Sequence, residues 1–354
     1  MFEIRCSVFE IFLISNTEHR ISNTEVGKNA ITPSVRLSLY PPSIPCHIQL
    51  NCMKKSIPLL LAAFTLLHVA DLSAQGCSDA GFCTLNNFKP NAIDTTTPAN
   101  QVRIGASIGG ADHSITVFGN YLEYNRSLGK RFGFDAKITS LAQSSIEASA
   151  FGLSDVYANL HVKFLEKFKL SVGAKIPLTD GNALEDGLPL PMDYQSSLGT
   201  YDLIVGLAYG IKGLQLAAAL QQPLTQNDNA FLRPSIPGDH LFSGYQSTNG
   251  FERKGDVLLR GAIPVSAGSK FKLTPSLLLI YHLGNDQFTN DLGQQEEIEG
   301  SQGLTINANA YVDYMLNQRH ALQLSLGVPL LVREARPDGL TRSFVINLEY
   351  SVKF

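Results

Sequence analysis

The carboxyl-terminal stretch Ser343 to Phe354 alternates apolar and polar side chains and ends on an aromatic residue. A period of two puts alternate side chains on opposite faces of a β-strand. The apolar face carries Phe344, Ile346, Leu348, Tyr350, Val352 and Phe354. Ser343, Asn347, Glu349, Ser351 and Lys353 share the other face, interrupted only by Val345. This pattern at the end of a chain is typical of transmembrane β-barrels, although a water-soluble sandwich can use such a strand too.

A barrel of this kind must first be exported, and the sequence contains an export signal. Met53-Lys54-Lys55 precedes an apolar run from Ile57 to Ala70, and Leu72-Ser73-Ala74 follows it. A charged start, a short apolar run and a small-residue end make up a secretory signal peptide. We therefore predict a signal peptide at 53–74, cleaved after Ala74 and exported by the Sec route. A buried helix is the alternative interpretation of the same run.

The segment 1–52 lies upstream of that signal and shows no clear period, so we interpret it as a mis-assigned upstream extension. A genuine cytoplasmic extension is the alternative. After cleavage, Cys77 and Cys83 are the only remaining cysteines. In an oxidising periplasm we expect them to form a small disulfide loop rather than a metal site, which would need further ligands nearby. Lipid attachment at Cys77 is a weaker alternative, because no branched apolar residue stands three positions before it.

The mature chain divides into a polar lead-in, 75–100, and a region of alternating segments, 101–354. The lead-in is rich in Asn, Thr and Pro and would lie in the periplasm or plug the barrel. The second region contains about twelve segments long enough to cross a membrane at a tilt. We therefore predict an all-β fold, a transmembrane antiparallel barrel of about twelve strands.

The connections between these segments support the barrel. Short turns follow Leu128, Leu165, Gly210, Pro264 and Met315, whereas all the long connections, such as 177–199, 223–254 and 284–300, fall at the other end. Outer-membrane barrels sort their connections in this way, with short periplasmic turns and long extracellular loops. A soluble sandwich has no reason to do so. The break in alternation between Ile138 and Val156 predicts a polar loop there.

Three stretches resemble the outer-membrane family named for the MetA pathway of phenol degradation, whose members are similar to fatty-acid channels. They are Gly152-Leu153-Ser154-Asp155-Val156-Tyr157, Lys175-Ile176-Pro177-Leu178-Thr179-Asp180-Gly181 and Leu198-Gly199-Thr200-Tyr201-Asp202. The resemblance covers about 152–223 and implies a transporter-like barrel.

The alternation of side chains along each strand also predicts which charged side chains face the barrel interior. The predicted lumen-lining residues are Arg103, Asp135, Lys137, His161, Lys163, Lys175, Asp202, Asp256, Arg260, His282, Asp313 and Glu349. Such charges either line a wet path or fill the barrel as paired side chains.

No motif predicts catalysis, a cofactor or a metal. The histidines are scattered, no serine stands in a nucleophile motif, and the acidic run near Glu296 lacks the spacing of a calcium loop. A net charge of -3 argues against nucleic acid as a partner. A membrane lipid hydrolase is therefore an unsupported alternative.

We expect a channel of the cell outer membrane that passes small molecules, hydrophobic or aromatic ones among them, without covalent chemistry. Its partners would be outer-membrane lipid, the solute and the barrel-assembly machinery, which would read the apolar face of the last strand. A closed barrel with a structural or adhesive role is the second alternative.

Overall fold

The computed structural model describes Lys89 and residues 100–165, 167–211, 213–233, 241–339 and 343–354. The predicted extension, the signal peptide, Cys77 and Cys83, and the lead-in apart from Lys89 and Asn100 lie outside these residues. Among the described residues, no helix is both long enough and apolar enough to cross a membrane.

The described chain is built of β-strands joined by turns, loops and short 3-10 turns. Most strands are rich in β-branched, aromatic and leucine side chains in alternation with polar ones, as a sheet with two different faces requires. In chain order the strands are β1 (Asn100–Gly110), β2 (Thr116–Leu128), β3 (Phe132–Ser144), β4 (Ser149–Phe164), β5 (Phe168–Pro177), β6 (Leu184–Glu185), β7 (Leu188–Pro189), β8 (Asp202–Ile211), β9 (Leu214–Pro223), β10 (Asp256–Ala262), β11 (Val265–Ala267), β12 (Phe271–His282), β13 (Gln287–Thr289), β14 (Gln295–Glu297), β15 (Gly303–Met315), β16 (His320–Leu331) and β17 (Phe344–Lys353).

The long strands close into one antiparallel barrel of 12 strands. Their order around the barrel is β1-β2-β3-β4-β5-β8-β9-β10-β12-β15-β16-β17, and β17 pairs with β1 to close it, with Gly105 opposite Glu349. Closure leaves none of these strands with an unpaired edge, which a strand in lipid could not tolerate. The predicted barrel of about twelve strands is confirmed.

The connections fall into two sets at opposite ends of the barrel. The turns that follow β2, β4, β8, β10 and β15 lie at one end, here called the turn end. The connections that follow β1, β3, β5, β9, β12 and β16 lie at the other, here called the loop end. The predicted sorting of short turns and long loops is therefore present in the fold.

The two faces of the barrel wall differ in chemistry. Outward side chains are apolar and exposed, as for Ile104 at 57%, Leu160 at 67% and Leu348 at 55%. Inward side chains include buried charges such as Glu123 at 0% and Asp135 at 1%. Apolar groups face outward and charged groups face inward, which is the inverse of a soluble domain and suits a wall surrounded by lipid.

The predicted polar loop between Ile138 and Val156 is wrong. β3 continues to Ser144 and β4 begins at Ser149, leaving only 145–148 between them. The ladder shifts register between Ile138 and Ser140, so that Ser154 and Asp155 are both buried. A β-bulge inserts one extra residue and reverses the in–out order beyond it. The alternation in the sequence is broken at this point, although the strand continues.

The long connections at the loop end pack together into what we call the loop cap. One apolar cluster contains Tyr194, Phe231, Phe242 and Tyr245, which are all at most 4% exposed. A second cluster contains Met192, Leu198, Phe251 and Ile298. Two small hairpins, β6–β7 and β13–β14, lie within these connections. The loops therefore have buried cores of their own.

Candidate functional site

The predicted lumen-lining residues all lie on barrel strands, and their side chains are buried or half-buried. The structure does not bring them into one site but into three groups along the barrel. The group toward the turn end comprises Arg103, Asp135, Lys137, His161, Lys163, Arg260, Asp313 and Glu349. Lys175 and Asp202 form a pair of 3.2 Å close to the loop end, where β5 ends and β8 begins, and Asp256 and His282 form a separate contact at the same end.

Tyr121 of β2 is the centre of the group toward the turn end. Its hydroxyl donates a hydrogen bond of 2.6 Å to Glu349. The Lys89 Nζ lies 2.5 Å from the same carboxylate, and Arg103 lies 3.5 Å from it. Two ammonium groups also lie near the Tyr121 ring, since Lys137 Nζ is 4.2 Å and Lys89 Nζ 5.2 Å from its centroid. Lys89, a residue of the lead-in, is thus held inside the barrel by Tyr121 of β2 and Glu349 of β17, the two strands that flank β1.

A cavity of about 200 Å³ lies in the interior beside Tyr121, and we call it the chamber. One wall is made of small residues on β1, β2 and β16, including Ser107, Gly119 and Gly327. Tyr157 and Tyr311 belong to its aromatic part. Its polar atoms come mainly from Lys89, Lys137, Thr139, Asp155, Lys175, Gln221, Asn309 and Asn347. The chamber is large enough for several waters or one small organic molecule.

The rest of the barrel interior beside the chamber is packed. Ile204, Leu258, Leu278 and Ile280 form an apolar cluster with Tyr157, and each is at most 5% exposed. These residues come from β8, β10 and β12, opposite the strands with small side chains. The open space therefore lies mainly against β1 to β4 and β15 to β17, and the lumen is not a cylinder of uniform width.

Beneath the loop cap, a buried ionic network joins the loops to the barrel rim. Arg253 hydrogen-bonds Asp256 and lies 3.5 Å from Asp338, which also accepts a bond of 3.0 Å from Arg333. His282 contacts Asp256 through one ring nitrogen and Asp286 through the other, both at 2.8 Å. Burial raises the cost of an isolated charge, so each member depends on its neighbours.

The charges of the loop residues in this network reinforce one another. Burial alone would raise the pKa of Asp338, but the guanidinium groups of Arg333 and Arg253 hold that pKa well below its usual range. The surrounding carboxylates of Asp256, Asp338 and Asp286 outweigh burial at Arg253 and raise its pKa. Both groups therefore remain charged throughout the physiological range.

A second polar cluster fastens the β3–β4 connection to the loop cap. Tyr194 donates a hydrogen bond of 3.1 Å to Glu147, and Tyr245 donates to the same carboxylate. Burial raises the pKa of both tyrosine hydroxyls, which keeps them protonated as donors. His113 stacks on Tyr245 at 3.9 Å between ring centroids, in a left-handed backbone conformation with φ of 54°. Contacts from four connections thus meet at this point.

Several members of these groups were not predicted from the sequence. Tyr121, Lys89 and Asn309 come together through pairings between distant segments. Arg253, Arg333 and Asp338 stand in loops where a charged residue ordinarily faces water. Val345, the one exception to the polar face of the last strand, lines the chamber. In the part of the chain that the structure describes, no group of three or more His, Cys, Asp or Glu side chains is arranged to hold a metal ion.

Comparison with known proteins gives the fold but no family. No family model matches the chain, and no curated protein matches it. Among solved structures, an outer membrane channel from Pseudomonas putida F1 is 15% identical with a TM-score of 0.50, covering 75% of this chain and 99% of that one. The fold is that of an outer-membrane β-barrel.

Two porins show looser likeness. A KdgM porin in complex with disordered oligogalacturonate is 10% identical with a TM-score of 0.38, covering 72% of this chain and 99% of that chain. A NanC porin is 13% identical with a TM-score of 0.40 at the same coverages.

Proposed function

We propose that this protein is a passive channel of the outer membrane for small molecules, and that hydrophobic or aromatic compounds are among its solutes. One observation carries the proposal: a closed barrel with an apolar outer wall encloses a chamber with polar and aromatic lining. Solutes would bind and leave the chamber according to its width and charge, with no covalent chemistry and no energy input.

The predicted lumen-lining residues would act in this channel through electrostatics. Lys137 lies over the Tyr121 ring and Arg103 pairs with Glu349 beside it, whereas Lys175, which pairs with Asp202, lines the chamber nearer the loop end. Because Arg103 and Lys175 each have a carboxylate close by, these charges keep the interior hydrated at a moderate cost.

The lead-in would control access from the turn end, which we assign to the periplasm. Lys89 supports this assignment, because it makes an ion pair of 2.5 Å with Glu349 and a hydrogen bond of 3.3 Å with the Tyr121 hydroxyl. The carboxylate is 3% exposed. A lysine side chain held this way narrows the lumen beside the chamber.

The test is single-channel conductance in planar bilayers, on protein extracted from outer membranes and on a variant that lacks residues 75–99. We expect a small steady current from the full mature chain and a larger one after truncation, because truncation removes Lys89 from the lumen. A shift in electrophoretic mobility on heating would verify that both proteins are folded. A folded protein that stays electrically silent in both forms would refute the channel.

A second candidate function is a closed barrel with a structural or adhesive role. The loop cap favours it, because its aromatic residues Tyr194 and Phe231 are both 0% exposed and Arg253 is 1% exposed. Packed loops over one mouth restrict an aqueous path and give a defined surface to the outside. Silent barrels that still bind a cell-surface partner through the loops would support this candidate.

The remaining expectations concern maturation and family. We propose Sec-dependent export with cleavage after Ala74, a disulfide between Cys77 and Cys83, and recognition of the last strand by the barrel-assembly machinery. Phe344, Ile346 and Leu348 support the last point, because their side chains are 41%, 40% and 55% exposed on the outer wall. Membership of the family named for the MetA pathway of phenol degradation also stays a proposal, supported by the three sequence stretches.

A further inference from the structure

We propose that the chamber is a binding site for a small planar carboxylate, such as an aromatic acid, with its carboxylate at the Lys137 end. This inference deepens the proposed function by naming the charge and shape of the solute. It rests on that function, but binding can be measured without any transport.

The first argument is the local balance of charge. Among the described residues, three basic side chains (Lys89, Arg103 and Lys137) and two carboxylates (Glu123 and Glu349) interact around Tyr121. The chamber lining also contains the carboxylate of Asp155, but this residue lies nearer the loop end, where it accepts a hydrogen bond from Ser197. Asp135 and Lys169, the next pair toward the turn end, add one charge of each sign. A buried cluster with more positive than negative charge is stabilised by an anion. Lys89 and Lys137 both line the chamber, so an anion in the chamber can reach the cluster.

The second argument is the availability of a hydrogen-bond donor. Asn309 lines the chamber and is 8% exposed, and its amide Nδ2 has no hydrogen-bond partner among the described residues. A buried amide N–H without a partner destabilises the fold, and a ligand oxygen or an ordered water would relieve that cost. Gln221 lines the chamber as well, and its amide oxygen likewise lacks a partner within the described residues.

The third argument is the shape of the walls. A Cβ on Gly119 would lie 2.6 Å from Ser107 Oγ and 3.3 Å from a Leu141 methyl group, so a larger residue at this position would have to displace the Ser107 side chain from the chamber wall. A glycine within a strand lets a ligand approach the backbone closely. With Tyr157 and Tyr311 also in the lining, the chamber offers a flat backbone wall and aromatic surfaces to a planar molecule.

The experiment is isothermal titration of the detergent-solubilised, naturally processed protein. The probes are benzoate, its neutral analogue benzyl alcohol, its cationic analogue benzylamine, and the non-planar cyclohexanecarboxylate. We expect benzoate to bind at least about tenfold more tightly than either the alcohol or the amine, as expected for a charge-assisted contact. Cyclohexanecarboxylate should bind more weakly than benzoate. Equal affinity for benzoate and benzylamine would overturn the proposal.

A lysine variant locates the site. Lys137→Met should weaken benzoate binding by about tenfold or more, and Lys137→Arg should retain most of it. The matched control is Lys272→Met, because Lys272 lies opposite Asp313 in the β12–β15 ladder and outside the chamber lining. Weaker benzoate binding by the Lys272→Met control, or unchanged benzoate binding by Lys137→Met, would refute the site.

The outcomes separate the two proposals. If Lys137→Met fails to fold, the ligand series on the unmodified protein still decides whether an anion is preferred. Tight benzoate binding by a protein that conducts nothing would support the chamber and refute the channel. A conducting protein that does not prefer benzoate would support the channel and refute the carboxylate site.

Discussion

Arg253 holds the loop cap to the barrel rim, and replacing it by methionine should loosen the cap. Its side chain is buried and contacts Asp256 and Asp338. Removing one partner of a buried ion pair usually costs about 3–5 kcal/mol, because the other charge stays buried. Asp256 retains its contact with His282 and Asp338 retains Arg333, so we expect the lower end, about 3 kcal/mol.

Endoproteinase Lys-C can measure this loss, because Lys254 follows Arg253 directly and lies in the cap. In the folded state the Lys254 amide is bonded to Asp286 at 2.9 Å, so cleavage at this site requires local opening. When opening and closing are fast, the cleavage rate follows the open population. A loss of about 3 kcal/mol should accelerate cleavage after Lys254 by about a hundredfold. Mass spectrometry would quantify this cut alone.

Two controls make the result specific. Cleavage after Lys130, in a turn at the opposite end of the barrel, should not change. Arg336→Met removes another cap salt bridge, but its partner Asp112 is 35% exposed, so the loss should stay below about 1 kcal/mol and the acceleration below about fivefold. If Arg253→Met accelerated cleavage no more than Arg336→Met does, the buried network would not hold the cap.

Two further predictions concern pH and the outer wall. Because the folded pKa of Asp338 is depressed, its contribution to cap stability is fully present above its ordinary pKa of about 4 and is lost only as the pH falls through the lower folded value. The hydrogen-exchange rate of the cap amides, corrected for the intrinsic rate, should stay constant down to about pH 4 and increase below it. An Asp338→Asn variant should lack this increase below about pH 4. An increase that begins near about pH 6 in the unmodified protein would contradict the assignment. On the lipid-facing wall, Leu122→Arg at the middle of β2 should lower the free energy of unfolding by about 2–4 kcal/mol, and Leu128→Arg at the end of the same strand by about 0–1 kcal/mol. Urea unfolding in lipid vesicles measures both, and equal losses would contradict a membrane centred on the barrel.

The strands were predictable from the sequence because their signal is local. The alternation from Phe344 to Phe354 identifies the two faces of β17 without any information about the neighbouring strands. The same signal failed between Ile138 and Val156. There the bulge places Ser154 and Asp155 on the buried side together, and a broken period resembles a loop.

The candidate site was predictable only in part, because its contacts join distant positions. The alternation along β1 and β17 indicated that Arg103 and Glu349 share the inner face. However, the hydrogen bond from Tyr121 to Glu349 joins residues 228 positions apart, and the bond from Lys89 to Glu349 joins residues 260 positions apart. The cap is harder still to predict. Arg253 and Asp338 lie in loops without a period, and nothing local distinguishes a buried loop charge from a solvated one.

The chamber lies between two closures of different construction. On the turn side, one lysine is held by a carboxylate and a tyrosine hydroxyl, and lysine is a flexible point charge with exchangeable partners. At the loop end, two arginines and three aspartates surround His282, and several connections would have to separate together. Because a solute that crosses the barrel axially meets both closures in series, the tighter one sets the limit. In the proposed channel, the turn-end contact would therefore open during passage, and the loop cap would set the maximal rate.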